Sequence, residues 1–175
     1  GMRKTRLVIF SVPALLAAVL TWANWPDPAS LPVGTVADRV VVRKSARVLE
    51  VIHAGTVLRT YRVSLGSHPV GPKQREGDGR TPEGLYNLDY RNPSSAFHFA
   101  LHVSYPSADD RRAAAARGVN PGGLIMVHGL RNGIGFIGRL HRLADWTNGC
   151  IALANPEIDE LARVVPDGTP ILIQP

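Results

Sequence analysis

The 175 residues contain one cysteine, Cys150. No intrachain disulfide is therefore available, and the paired-thiol spacing of a zinc site is missing. The six histidines are scattered and form no ligand cluster, so no metal is expected. There is neither a phosphate-cradling loop nor a dinucleotide fingerprint, so no cofactor is expected either. A net charge of +6 invites a nucleic-acid reading. Without a basic run or a recognition-helix pattern, that reading is set aside. No segment repeats, and strands do not alternate with helices as a βαβ fold requires.

Apolar residues make up 45% of the chain, enough for one domain with a core and against disorder. Part of that share sits in residues 7–23, LVIFSVPALLAAVLTWA, which carry no charge and follow Arg3, Lys4 and Arg6. A basic start and an apolar run describe residues 1–23 as a signal peptide or an amino-terminal membrane anchor. Thr21-Trp22-Ala23 is a passable cleavage site, and no cysteine follows to carry a lipid. Uncleaved, residues 7–23 would hold the protein in the inner membrane. Either way residues 24–175 are expected outside the cytoplasm, in the periplasm. That part carries 17 Lys and Arg against 14 Asp and Glu, an ordinary surface mildly suited to an anionic envelope.

Residues 24–37 are rich in proline and small residues and read as a linker. The remainder, 38–175, reads as one domain that is mainly β with a few short helices. DRVVVRK, ARVLEVIHA, TVLRTYRVSLG, LYNLDYR, FHFALHVSY, LIMVHG and TPILIQP have strand patterns, with a hairpin turn at Ala54-Gly55. SADDRRAAAARG predicts a helix capped by Ser107 and ended by Gly118. NPEIDELARVVPDG predicts another, with Asn155 as cap and Ile158, Leu161, Ala162 and Val165 as its core stripe. The glycine-rich stretch GSHPVGPKQREGDGRTPEGLY predicts an exposed loop of the kind that carries function.

An exported chain with one unpaired thiol poses a choice between an inert buried cysteine and a reactive one. Reaction needs a thiolate, hence a base. His53, His98 and His102 lie in apparent strands and read as structural, while His68 borders the glycine-rich loop. Two candidates remain for the base. His128 ends the buried run LIMV; His141 lies nine residues before Cys150. Position alone does not separate them. Gly149 frees the backbone before the thiol, so that N–H groups near Asn148 and Gly149 could face a developing oxyanion. Asn148-Gly149 is equally the composition of a plain turn.

His128-Gly129, followed 22 residues after the histidine by TNGC at 147–150, resembles the catalytic signature of the L,D-transpeptidase (YkuD-type) family. GDGRTPEGLY, RNPSSAFHF, HVSYPSADD, MVHGLRN and GRLHRLADWTNGCIAL resemble its YafK-like branch. The resemblance covers residues 38–175 and implies a β-sandwich-like catalytic domain. It makes Cys150 the nucleophile and His128 its base, with the carbonyl of Gly129 orienting the imidazole. It implies an acyl-enzyme formed on diaminopimelate-containing stem peptides of peptidoglycan. Within the YafK-like branch it implies hydrolysis of the link between an envelope lipoprotein and peptidoglycan. The alternative is formation of 3–3 crosslinks or attachment of proteins; a further alternative is a wall-binding module without activity. Two positions depart from the pattern: many members have histidine where Asn148 stands and arginine where Ala152 stands. Arg139, His141, Trp146 and Arg80 are the candidates for the missing substrate contacts, and Asp145 for orienting a neighbour.

Overall fold

The computed structural model describes residues 12–28 and 30–175. Arg3, Lys4, Arg6 and the first part of the apolar run lie outside them. From Val12 the run is helical: α1 spans Val12–Ala23, with Leu15, Leu16 and Trp22 exposed. Among the described residues no helix is long and apolar enough to cross a membrane.

Eight strands follow: β1 (Arg39–Arg43), β2 (Val48–His53), β3 (Thr56–Arg62), β4 (Gly84–Asn92), β5 (Ala100–Val103), β6 (Met126–His128), β7 (Ile151–Ala152) and β8 (Thr169–Gln174). They form one sheet in the order β3-β2-β1-β8-β4-β5-β6-β7. Two pairs are parallel, β1 with β8 and β6 with β7. Ala54 and Gly55 join β2 to β3 with φ of 48° and 78°, the left-handed pair that matches the twist of a hairpin.

The sheet curls until its outer strands meet. Beyond β3, Ser64 and Ala152 exchange backbone hydrogen bonds of 3.1 and 2.8 Å, and Gly66 bridges to Thr147. The expected mainly β domain is thus present, and its layered form arises from a single sheet closing on itself. Inside lie Val40, Val42, Leu49, Leu101, Val127, Ile151, Ile171 and Ile173. Their burial is the main force closing the sheet, at about 1.5–3 kcal/mol for each Val, Leu or Ile side chain.

Helix α2 (Ala108–Ala116) is capped by Ser107, whose Oγ accepts the Asp110 N–H, and Gly118 follows it at a φ of 67°. Helix α3 (Asn155–Val164) buries Ile158, Leu161 and Val164 in the core. Its cap is Ala154, not Asn155. The Asn155 side chain instead leaves the helix end and accepts the Leu130 N–H at 2.8 Å, bracing the chain just after His128-Gly129. His98 lies before β5 rather than in a strand, with a φ of 64°. A 3-10 stretch at Gly135–Leu143, absent from the sequence reading, leads to the cysteine.

The proline-rich segment is more than a spacer. Arg163 of α3 donates to the carbonyls of Leu31 (2.7 Å) and Pro32 (3.0 Å), and the Ala37 N–H donates to Val164 O (2.8 Å). The Leu31 N–H is held by Glu160. Residues 31–37 therefore run as a strap along α3.

Candidate active site

The site is set by strand register. β6 and β7 are parallel, with Val127 opposite Ile151 and His128 opposite Ala152. Side chains alternate along a strand, so Val127 and Ile151 enter the core while Met126, His128, Cys150 and Ala152 share the other face. The same pairing sets Cys150 against Met126, one strand step from His128. Both Cys150 and His128 line a cleft of about 290 Å³ with Phe97, Leu124, Trp146 and Asn148.

Thr147 builds the turn that presents the thiol. Its Oγ1 donates to Cys150 O at 2.7 Å and accepts the Gly149 N–H at 3.1 Å. Gly149 has a φ of +126°, and a Cβ there would stand 2.6 Å from the carbonyl oxygen of Arg80. Only glycine meets both demands. Because Thr147 takes the Gly149 N–H, that group cannot serve an oxyanion, which corrects the sequence expectation. The N–H groups of Asn148 and Cys150 make no hydrogen bond among the described residues.

The sulfur accepts the Met126 N–H at 3.4 Å and lies 3.7 Å from Leu124 O. Burial raises the thiol pKa, and the Met126 N–H and the charge of Lys73 oppose that rise only in part. Burial also lowers the pKa of His128, against the pull of its hydrogen bond to Gly129. The resting pair is therefore a neutral thiol and a neutral imidazole. His128 Nδ1 donates to Gly129 O at 2.6 Å, which fixes the tautomer and leaves Nε2 as the acceptor. Phe97 and Trp146 wall the imidazole, with ring centroids 4.7 and 5.8 Å away.

This placing of a thiol and an imidazole on one cleft accompanies a clear kinship. The model of the YkuD family, the L,D-transpeptidase catalytic domain, matches residues 37–173. The chain belongs to that family. Its L,D-transpeptidase domain is 32% identical to YafK of Escherichia coli (strain K12) over 111 residues, 62% of this chain and 37% of that protein. Among solved structures it is similar to the helical cell shape determining protein Pgp2 from Campylobacter jejuni, at 25% identity and a TM-score of 0.60, over 90% of this chain and 54% of the other. It is also similar to Bd1075 of Bdellovibrio bacteriovorus, at 25% identity and a TM-score of 0.54, over 85% and 53%. The chain thus spans little more than a third of the length of YafK and about half that of Pgp2.

Within this domain the predicted substrate contacts separate. Trp146 lines the cleft, with its indole N–H buried and unpaired among the described residues. His141 does not line it. Its ring is buried, and Nδ1 lies 3.1 Å from Ser64 Oγ. Burial, then the charge of Arg142, then that of His128 lower its pKa to about 4. Arg139 lines a different hollow, against the end of α1 with Ala23, Asn24 and Glu157. Arg80 faces a neighbouring cavity across the turn. Asp145 is structural: it accepts from Leu65 N–H (2.9 Å) and pairs with Arg47 (2.9 Å). His53, His98 and His102 each meet a carboxylate, of Asp38, Asp159 and Asp89. Ala152 is fully buried beside Ser64, so an arginine there would have to displace packed groups to reach the cleft. Phe97, Leu124 and Met126 were missed, because only the closing of the sheet places them together. Among the described residues no cluster of three or more His, Cys, Asp or Glu could hold a metal ion.

Proposed function

We propose that this protein is a cysteine acyl-transfer enzyme of the cell envelope that hydrolyses the bond joining a lipoprotein to peptidoglycan. The observation that carries the proposal is Cys150 beside a His128 whose Nδ1 is tied to Gly129, both opening on one cleft. As the stem peptide binds, His128 Nε2 takes the thiol proton and Sγ attacks the carbonyl at the L-centre of diaminopimelate. The oxyanion forms beside the free N–H groups of Asn148 and Cys150, which stabilise it. When the intermediate collapses, the amine of the lipoprotein leaves with the proton from His128, and the acyl group stays on sulfur. His128 then deprotonates water, which attacks the thioester. The stem peptide leaves with a carboxylate and the thiol regains its proton. An amine in place of water would give a crosslink or an attached protein. Phe97 and Trp146 shield the imidazole.

The stretches GDGRTPEGLY and RNPSSAFHF, which resemble the YafK-like branch, favour hydrolysis in this reading, and the similarity to Pgp2, a helical cell shape determining protein, supports a role in wall shape. We place the domain in the periplasm, held to the inner membrane by residues 7–23. The fit of α1 against the domain supports retention of that segment. Ala23 is buried and its carbonyl packs against Gly138, so a cut after Ala23 would remove a packed contact.

The test is mass spectrometry of lipoprotein-loaded peptidoglycan treated with the protein or its Cys150→Ala variant. Release of lipoprotein free of muropeptide, by the thiol-bearing protein alone, is expected. New 3–3 crosslinks without release would make it a transpeptidase. No change in either product would leave a wall-binding module.

A further inference from the structure

The turn 147–150 has a second side. There the loop of residues 71–80 folds back on Asp78. Asp78 Oδ2 accepts the N–H groups of Gln74 (2.7 Å) and Arg75 (3.1 Å). Its Oδ1 accepts the Arg80 N–H (3.1 Å) and pairs with Lys73 Nζ (2.9 Å). Burial opposes ionisation, yet the Gln74 N–H, Lys73 and the other donors outweigh it and hold this carboxyl at about 2. Its negative charge is matched by Lys73, and what faces outward is positive. Arg75, Arg80 and His68, with Gln74, Gly77 and Asp78, line a cavity of about 350 Å³. Among the described residues the Arg75 guanidinium has no partner. Arg80 makes one long bond of 3.4 Å to Pro72 O. Glu76, the other acid of the loop, is turned away to Asn120.

This cavity is joined to the nucleophile turn by main chain. Ser67 N–H donates to Thr147 O at 2.9 Å, and His68 N–H to Gly79 O at 3.0 Å. The Arg80 carbonyl lies directly against Gly149, and at Gly66 a Cβ would stand 2.1 Å from Gly79 O. The loop and the turn are thus packed backbone to backbone. We infer that the cavity is a carboxylate-binding subsite in which Arg75 and Arg80 hold a free carboxylate of the peptide whose acyl group is transferred to Cys150. The inference rests on the proposed stem-peptide substrate, which carries carboxylates besides the one under attack. A guanidinium fork matches a carboxylate in two parallel hydrogen bonds, which a surface lysine does not.

Calorimetry on the full chain carrying Cys150→Ala separates binding from turnover. The probes are a diaminopimelate-containing stem peptide with its side-chain carboxylate free and the same peptide amidated there. The free acid is expected to bind at least about tenfold tighter, the effect of one charge-assisted pair. Adding Arg75→Gln and Arg80→Gln should abolish that preference and leave binding of the amide unchanged. Arg75→Gln alone, whose guanidinium makes no hydrogen bond or ion pair among the described residues, should remove part of the preference without changing the melting temperature. Equal binding of acid and amide, or a preference that survives both substitutions, overturns the subsite and leaves the proposed function standing. Binding of neither peptide overturns the substrate reading, and the subsite with it.

Discussion

His141 is expected to make this protein sensitive to acid in a way that one substitution removes. Ser64 Oγ donates to the carbonyl of His141 at 3.0 Å, so its lone pair faces Nδ1 at 3.1 Å and the proton of the neutral ring sits there. Nε2 is left as a buried acceptor without a partner among the described residues. Charging the ring would bury a cation beside Arg142 and His128, which is why the folded pKa falls from 6.5 to about 4. In the unfolded chain the ring protonates near 6.5. A depressed folded pKa means that the unfolded state binds more protons as pH drops, so stability is full above 6.5 and is lost below it. From the two pKa values the loss is about 2 kcal/mol at pH 5 and about 3 kcal/mol at pH 3, relative to pH 8. The assay is urea unfolding of the native protein and of His141→Gln at pH 8, 6.5 and 5. The variant keeps a donor for Ser64 but has no titration. It should lose about 2 kcal/mol less than the native protein between pH 8 and pH 5. His128 is present in both proteins and cancels. If both stability curves fall in parallel, the buried neutral ring is refuted.

Three further outcomes follow from the site. His128→Gln should lower turnover by about 10²–10⁴-fold, and Cys150→Ala should abolish it, while His141→Gln stays active at pH 8; rates of lipoprotein release check all three, and an inactive His141→Gln that melts normally would reinstate that residue as the base. Burial lowers the pKa of His128, so it remains an unprotonated base at pH values where an ordinary histidine is charged. The acid limb of kcat/KM should accordingly fall below pH 6.5; a limb above 7 would contradict the geometry. Gly149→Ala combines a left-handed φ with a clash against Arg80 O, and should cost at least about 1–3 kcal/mol in thermal unfolding and remove activity.

The strands were legible because their signal is local. VVV in β1 and the alternation in β8 declare themselves in a few residues, as does the Ser107 cap of α2. Cys150 and His128 were singled out by a histidine-glycine pair and a Thr-x-Gly-Cys motif, and the structure brings both to one cleft. The substrate side was not. His141 and Arg139 stand close to the cysteine in sequence, yet the 3-10 stretch carries one beneath the site and the other to α1. Phe97 reaches the cleft from 53 positions away, through a sheet closure that no local pattern encodes. Asn155 has the composition of a helix cap, and the neighbouring Leu130 N–H claims it. Position along the chain misleads where long-range pairing decides.

The strand order has a consequence in time. β8, the last strand in sequence, lies in the middle of the sheet between β1 and β4. It joins β1–β3 to β4–β7, and the seam between residues 64–66 and 147–152 is the second join between these two groups of strands. Such non-local topology folds slowly. In the export proposed above, the two groups of strands would be joined through β8 only once this last strand had crossed.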